Sequence, residues 1–350
     1  MTSLIRSPGV NSTTSIERQH LCLQIANTPI SKYNINIMAH LPEGFTTTLS
    51  YVGAATTCYW TIQLARHLYS YFRPTALPRY NPTGKDSWAL VTGASDGIGF
   101  GFAQELSQRG FNVFLHGRNR EKLIRRQEEL QAEFPNVITK IIVSDASNIS
   151  ENIDTIAHEV GNVRLTVLVN NVGGESRAYR RLTELTYEDV RNTINLNVTF
   201  MTQVTRSLLP VLEKNGPGLI MNVSSTASFG MPYLPVYSGT KGFVDSFSRS
   251  LDAEVKADGR DLEVLAVRVG SVKSQGNDVE LSLSTPGSRT MAAAALNRVG
   301  SGFPLVFGYW GHALPGLTLD WIPRNVVVAM LAKTMRGLKR DMEAKQGKQE

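Results

Sequence analysis

Residues 87–109 constrain this chain more than any other stretch. Ser87-Trp-Ala-Leu-Val-Thr is an apolar run of strand length, and residues 98–109 carry apolar side chains at helical spacing. Between them lies Thr92-Gly-Ala-Ser-Asp-Gly-Ile-Gly99. Glycine lets a backbone approach its ligand closely. The helix start behind it offers N–H groups and the positive end of a dipole. Strand, glycine turn and helix together predict a cradle for the pyrophosphate of a dinucleotide. The spacing is Gly-x-x-x-Gly-x-Gly, not Gly-x-Gly-x-x-Gly, so the flanking strand and helix carry the reading, not the glycines alone.

Residues 111–116 read as the next strand. A site that prefers NAD places Asp or Glu near the end of that strand, where it binds the ribose hydroxyls. Here the residues are His116, Gly117 and Arg118. A missing acid and a present arginine favour the 2′-phosphate of NADP. Asp96, inside the glycine turn, counts slightly against an anion. Helices are then expected at 121–134, 151–160 and 187–213, with strands at 137–143, 165–169, 218–223 and 263–269. Strands alternating with helices predict a doubly wound parallel sheet. Its ligand should lie at the carboxyl ends of the strands, where the glycine turn, Asn171, Ser225 and the loop after Val269 fall.

Residues 222–241 end a strand in a serine cluster and then enter a helix. Tyr237 and Lys241 are four apart, hence one turn apart on one face. A phenol has a pKa of about 10, and a neighbouring ammonium favours its ionised form. Such a pair can give a proton to a carbonyl oxygen or take one from an alcohol. Ser225 can hold the same oxygen, with Ser224 as the alternative. A lone Tyr-x-x-x-Lys is commonly a solvated helix face; the nucleotide cradle upstream is what turns this pair into a reaction centre.

The remaining chain adds appendages to one large core. It has 350 residues, of which 42% are hydrophobic and 19% charged, and a formal net charge of +6. The basic residues are scattered, with none of the aromatic-interleaved stripes of a nucleic-acid binder. They suit an anionic membrane surface or an anionic substrate. The two cysteines, Cys22 and Cys58, leave the main domain without a disulfide or a cysteine-based metal site, and no metal is expected.

Residues 1–37 are polar and aperiodic and are expected to be disordered; Met38 offers an alternative start. Residues 44–65 are free of charge over a length that can span a bilayer, although Thr, Ser and Gln dilute them. A span, an interfacial helix and a helix packed on the soluble domain all remain open. Arg66, Arg73 and Arg79 follow the stretch, so its C-terminal side would face the cytoplasm. The expected organisation is an extension at 1–43, a membrane anchor at 44–73, a linker at 74–85, a catalytic domain at 86–275 and a substrate loop with a membrane-proximal region at 276–350. Asn-x-Ser/Thr sequons occur at Asn11, Asn148, Asn197 and Asn222; the last two fall in the expected core and are read as chance.

Taken in order, Thr92-Gly-x-x-x-Gly-x-Gly99, Asn170-Asn-Val-Gly173, Asn195, Ser225 and Tyr237-x-x-x-Lys241 resemble the short-chain dehydrogenase/reductase family. The resemblance covers residues 86–275. It implies a Rossmann-type sheet and hydride transfer between a nicotinamide and a carbonyl carbon. It implies that Tyr237 is the general acid/base, that Lys241 lowers its pKa and binds ribose, that Ser225 orients the carbonyl and that Asn195 supports a proton-relay water. It further implies cofactor contacts from Val91, Thr92, Gly93, Ser95, Asp96, Gly97, Ile98, Gly99, Arg118, Asp145, Asn171, Val272 and Ser274.

The chain is also similar to the very-long-chain 3-oxoacyl-CoA reductase branch, through Leu168-Val-Asn-Asn-Val-Gly, Tyr237-Ser-Gly-Thr-Lys-Gly-Phe and the apolar segment before the domain. That branch implies NADPH, an acyl-CoA substrate, the endoplasmic reticulum membrane with a cytosolic catalytic domain, and association with other elongation enzymes. The family also implies a homodimer through the helices that carry Asn195 and Tyr237. Ser225 stands twelve residues before Tyr237 where the family has thirteen, and Val269-Gly270 replaces Pro-Gly. A reductase of steroid or secondary-metabolite ketones and a non-catalytic nucleotide-binding subunit are the competing readings.

Overall fold

The computed structural model describes residues 43–147, 149–174, 179–275, 277–318 and 322–346. The expected N-terminal disorder, the Met38 start and the sequons at Asn11 and Asn148 lie outside them. The chain divides at Arg66/His67 into two units.

The described part of the first unit belongs to helix α1, Glu43–Phe72. Leu49, Val52, Trp60, Ile62 and Leu64 on it are each more than half exposed. No helix among the described residues is long and apolar enough to cross a membrane. The expected span is therefore corrected on hydropathy: seven Thr or Ser residues between 46 and 61, with Gln63, dilute it. Several hydroxyls turn back on their own helix, as Thr48 Oγ1 does to the Gly44 carbonyl at 2.8 Å and Thr61 Oγ1 to that of Thr57 at 2.8 Å.

Among the described residues, the second unit is built on seven parallel strands. In chain order they are β1 Trp88–Thr92, β2 Asn112–Gly117, β3 Thr139–Val143, β4 Leu165–Asn170, β5 Gly218–Ser225, β6 Leu262–Val269 and β7 Leu305–Phe307. Their spatial order is β3-β2-β1-β4-β5-β6-β7, with every neighbouring pair parallel. Helices cover both faces, so β1, β2 and β4 are buried at every residue. That is why they read as apolar runs without alternation. Val91, Phe102, Leu106, Val169 and Val267 belong to one core layer, and Leu90, Phe114, Leu168, Phe200 and Ile220 to the other. The strand order reverses between β1 and β4, which opens a crevice at their carboxyl ends.

The crossover helices are α2 Gly97–Gln108, α3 Arg120–Glu133, α4 Ile149–Val160, α5 Tyr187–Ile194, α6 Phe200–Asn215 and α7 Pro235–Ala257. The single helix expected over 187–213 is interrupted: Asn195–Thr199 between α5 and α6 is a π-helical turn. Such a turn widens the helix by one residue and changes which side chains face inward. Beyond β6 come α8 Ser288–Leu296, α9 Trp310–Thr318 and α10 Arg324–Gln346. Helix α8 crosses α2 closely at Gly101, where an added Cβ would lie 2.7 Å from the Ser288 carbonyl oxygen. Arg289 fastens the same crossing through Glu105 at 2.9 Å and Glu133 at 2.7 Å.

Candidate active site

A cleft of about 720 Å³ lies at the carboxyl ends of the strands. Gly93, Ser95, Asp96 and Ile98 line it from the glycine turn, Arg118 and Asp145 from the ends of β2 and β3, and Asn171 from that of β4. Ser224 and Ser225 contribute from β5, Tyr237 and Lys241 from α7, Val269 from the end of β6, and Gly270 and Ser274 from the loop beyond it.

The turn is built for close approach. Gly93 and Gly97 have φ of +68° and +57°, which favour glycine. An added Cβ at Gly99 would collide with the Gly93 carbonyl and with Asn171 Nδ2. Thr92 stands behind the turn, fully buried. Its Oγ1 accepts the N–H groups of Asn171 at 2.9 Å and Val172 at 3.1 Å and lies 3.3 Å from the Val169 carbonyl. Asn171 Nδ2 returns a bond to the Thr92 carbonyl at 3.1 Å. These bonds lash the ends of β1 and β4 together, so Thr92 braces the cradle from behind.

Asp96 is compatible with an anion here. Its carboxylate accepts the Gly97 N–H at 2.6 Å as the cap of α2 and lies 3.9 Å from Arg126. Its charge is thus held by the helix start and a guanidinium. At the end of β2, Arg118 lines the cleft, and the Asp145 carboxylate at the end of β3 is near enough to feel its charge. His116 is buried on β2, stacked on Phe200 at 5.3 Å, with Nε2 2.8 Å from Ser144 Oγ. Burial pushes its pKa down to about 4, so the ring is neutral. The Ser147 N–H holds the Asp145 carboxyl below its ordinary range. The close-approach turn, the helix start behind it and the strand ends around it fit a dinucleotide.

At the other end of the cleft, strand alternation separates the two serines. Ser224 is 2% exposed, and its Oγ lies 2.5 Å from Asp245 Oδ1. Arg268 holds the other oxygen of Asp245 at 2.8 Å. Ser225 Oγ accepts the Ala227 N–H at 3.1 Å, which leaves its own proton for the cleft. Of the two serines the sequence left open, Ser224 is thus committed to Asp245, whereas Ser225 is not. The chain turns sharply between Ser225 and Tyr237, with φ of +91° at Gly230 and +65° at Tyr233.

Lys241 is 5% exposed and donates to the Val223 carbonyl at 3.0 Å. Its Nζ lies 5.6 Å from the centre of the Tyr237 ring. Burial pulls its pKa down to about 8, partly offset by the Asp245 carboxylate. Gly173 admits this crowding: an added Cβ there would lie 3.1 Å from Lys241 Nζ and 2.7 Å from Asn197 Oδ1.

That asparagine is a correction. Asn195 does not line the cleft; its Oδ1 takes a 3.4 Å contact from Thr199 Oγ1 within the π turn. Asn197 is the one turned inward, 1% exposed. It accepts the Gly174 N–H at 3.0 Å and donates to the Gly174 carbonyl at 2.8 Å and to that of Thr193 at 2.9 Å. The π turn shifts the inward position by two residues, which a uniform helical reading does not register. Val91 and Val272 are buried in the core layer and do not line the cleft. Gly97 and Gly99 shape the turn through their backbones, while Val269 and Gly270, not named as cofactor contacts in the sequence, line the cleft. Among the described residues no cluster of His, Cys, Asp or Glu has the geometry of a metal site.

This combination defines a dinucleotide-dependent oxidoreductase, and the chain belongs to the short-chain dehydrogenase family. The family model, described as short chain dehydrogenase, matches residues 87–281. The chain is 38% identical over 260 residues to a zebrafish (Danio rerio) protein named very-long-chain 3-oxoacyl-CoA reductase-A, covering 71% of this chain and 79% of the relative. It is 31% identical over 304 residues to the very-long-chain 3-oxoacyl-CoA reductase of Rattus norvegicus, covering 84% of this chain and 93% of that one. Among solved structures, a short-chain dehydrogenase from Sphingobium yanoikuyae in complex with NADPH matches with a TM-score of 0.57 and 25% identity, covering 69% of this chain and 95% of that one.

Proposed function

We propose that this protein is an NADPH-dependent ketoreductase that converts a 3-oxoacyl-CoA to the 3-hydroxyacyl-CoA during very-long-chain fatty-acid elongation. The observation that carries the proposal is the convergence of Ser225, Tyr237 and Lys241 at one end of a cleft whose other end carries the glycine turn and Arg118. The names of the relatives support the substrate class, and Arg118 in place of an Asp or Glu at the end of β2 supports the 2′-phosphate.

NADPH, when bound, supplies the hydride. The glycine turn and the start of α2 would hold its pyrophosphate, and Arg118 would hold its 2′-phosphate. The Ser225 hydroxyl donates to the substrate's 3-oxo oxygen and fixes its direction toward Tyr237. Tyr237 gives that oxygen its proton. The buried Lys241 ammonium stabilises the resulting phenolate. With a pKa of about 8, Lys241 is mostly charged at neutral pH. Asn197 acts through Gly174, holding the strand end that borders Lys241.

The exposed apolar surface of α1, followed by Arg66, Arg73 and Arg79, supports membrane association. We assign the enzyme to the endoplasmic reticulum membrane, with the catalytic unit on the cytosolic side. Homodimers and contacts with other elongation enzymes belong to the same proposal.

The test is NADPH oxidation by the detergent-solubilised full chain with a long-chain 3-oxoacyl-CoA, beside the Tyr237→Phe variant and a steroid ketone. Turnover of the acyl-CoA that is lost in the variant supports the proposal. Reduction of the steroid ketone alone keeps the mechanism and discards the substrate. Binding of NADPH without turnover of either refutes a catalytic role.

A further inference from the structure

His312 lies outside the serine, tyrosine and lysine machinery. It stands in α9 with 4% of its surface exposed. Its ring makes three hydrogen bonds, all to backbone. Nδ1 is 3.1 Å from the Gly270 nitrogen, and Nε2 is 3.1 Å from the Ser271 oxygen and 3.2 Å from the Ser284 oxygen. A backbone N–H only donates and a carbonyl only accepts. Nδ1 is therefore bare, and Nε2 carries the proton. The ring is neutral and its tautomer is set by its partners. Packing fixes it further: an added Cβ at Gly270 would lie 2.7 Å from His312 Cδ2, and the Tyr309 ring meets it edge-on at 5.4 Å.

The bonded backbone belongs to two segments. Gly270 and Ser271 open the loop after β6, and Val269 and Gly270 line the cleft. Val269 is the register partner of Ser225 across β5 and β6, so this loop starts beside the reacting end. Ser284 sits in a turn closed by the Ser282–Thr285 bridge, and that segment rejoins the loop through the Lys273–Gly287 bridge. One ring therefore ties the loop beside Ser225 to the segment where the sequence places a substrate loop.

We propose that His312 is a positioning residue, a neutral ring clamp that holds the loop after β6 and the 282–285 turn in one arrangement and releases them when it is protonated. An imidazolium would turn a second N–H toward the Gly270 N–H, donor against donor. Burial lowers the pKa of the ring, while its bonds to Ser271 and Ser284 act the other way. The loop after β6 offers Lys273, which stands 3.9 Å from Asp278. Residues 281–287 carry no ionisable side chain, and within α9 His312 is the only one. Tyr309 is the titratable ring in contact with it. The clamp's effect on turnover rests on the ketoreductase reading; its effect on the backbone does not.

The test follows amide exchange across residues 268–287 in the full chain, without cofactor, at pH 4.5–8 and corrected for intrinsic rates. NADPH affinity is titrated in parallel by fluorescence. His312→Phe keeps the ring volume and removes all three bonds, whereas His312→Gln keeps a donor with similar reach. In His312→Phe, exchange of the 270–271 and 284–285 segment is expected to rise at least about fivefold, the equivalent of one lost hydrogen bond. NADPH is expected to bind about fivefold more weakly, and His312→Gln to recover part of both effects. In the wild type the same segment should exchange faster as the pH falls below 6.5, the ordinary value for histidine. This readout needs no variant to fold. Unchanged exchange in His312→Phe, a rise spread evenly over the whole chain, or a flat wild-type profile overturns the clamp. If the wild type binds no NADPH, the ketoreductase reading fails and the exchange data still judge the clamp.

Discussion

Replacing Asn197 with alanine should damage the protein far more than replacing Asn195. Asn197→Ala removes one acceptor and one two-handed donor, at 3.0, 2.8 and 2.9 Å from its partners. The Gly174 N–H then loses its acceptor. It is half-buried, so its penalty falls near the low end of the usual range, about 1 kcal/mol. The two lost bonds to carbonyls add about 0.5–1 kcal/mol each. The sum is about 2–3 kcal/mol. Asn195→Ala removes one 3.4 Å contact from a half-buried side chain, for about 0.5 kcal/mol or less. In urea, with a slope of about 3 kcal/mol per molar for a unit of this size, the midpoint should drop by about 0.7–1 M for Asn197→Ala and by about 0.2 M or less for Asn195→Ala. The rate should follow the same order, because Gly174 continues the strand end that borders Lys241. Equal midpoints, or a lower rate in the Asn195 variant than in the Asn197 variant, would refute the assignment of the inward side chain through the π turn.

The serines should separate in the same way. Ser225→Ala should lower kcat about 10²–10³-fold, as loss of one donor to a reacting oxygen does, with little change in stability. Ser224→Ala should lower stability by about 1.5–3 kcal/mol through its bond to the Asp245 carboxylate, measured by urea titration. Arg118→Asp should move cofactor preference from NADPH toward NADH by at least about tenfold in kcat/KM, the equivalent of one charge-assisted bond. Lys241 has a folded pKa of about 8 against an ordinary 10.5. Between those values the unfolded chain binds the proton that the folded chain has released. Its contribution to stability is unfavourable below about pH 8 and is relieved as the pH rises toward 10.5. The stability of the wild type minus that of Lys241→Met should therefore rise over this window, and a flat difference would refute the burial of the charge.

The parallel sheet was legible because its signals are local. Runs such as Leu165–Asn170 lack alternation since both faces are covered, and Gly93, Gly97 and Gly99 are required by backbone geometry within one turn. Tyr237 and Lys241 were legible for the same reason, because four residues of helix place them on one face whatever surrounds them. Ser225 was legible as one of two serines, and only the packing of Ser224 against Asp245 and Arg268 separates them.

Other features were not written in any short window. The span expected over residues 44–65 rested on the absence of charge. Membrane insertion depends on summed hydropathy, which the threonines and Gln63 reduce. Asn197 was hidden because a π turn adds a residue without a marked change in composition. Val272 was read into the cleft, but the chain beyond Gly270 returns it to the core. The part His312 plays was hidden in the same way, since its partners are backbone atoms 28 to 42 residues away.

The sequence by itself determined the alternation of strands and helices, the phosphate cradle and the spacing of the tyrosine and lysine. These depend on periodicity and on glycine, which act over a few residues. Only the tertiary structure decided which asparagine turns inward, which serine is committed to a buried carboxylate and which loop residues line the cleft. Those choices depend on burial and on hydrogen bonds between segments far apart in the chain, whose free energy appears only after the segments have packed.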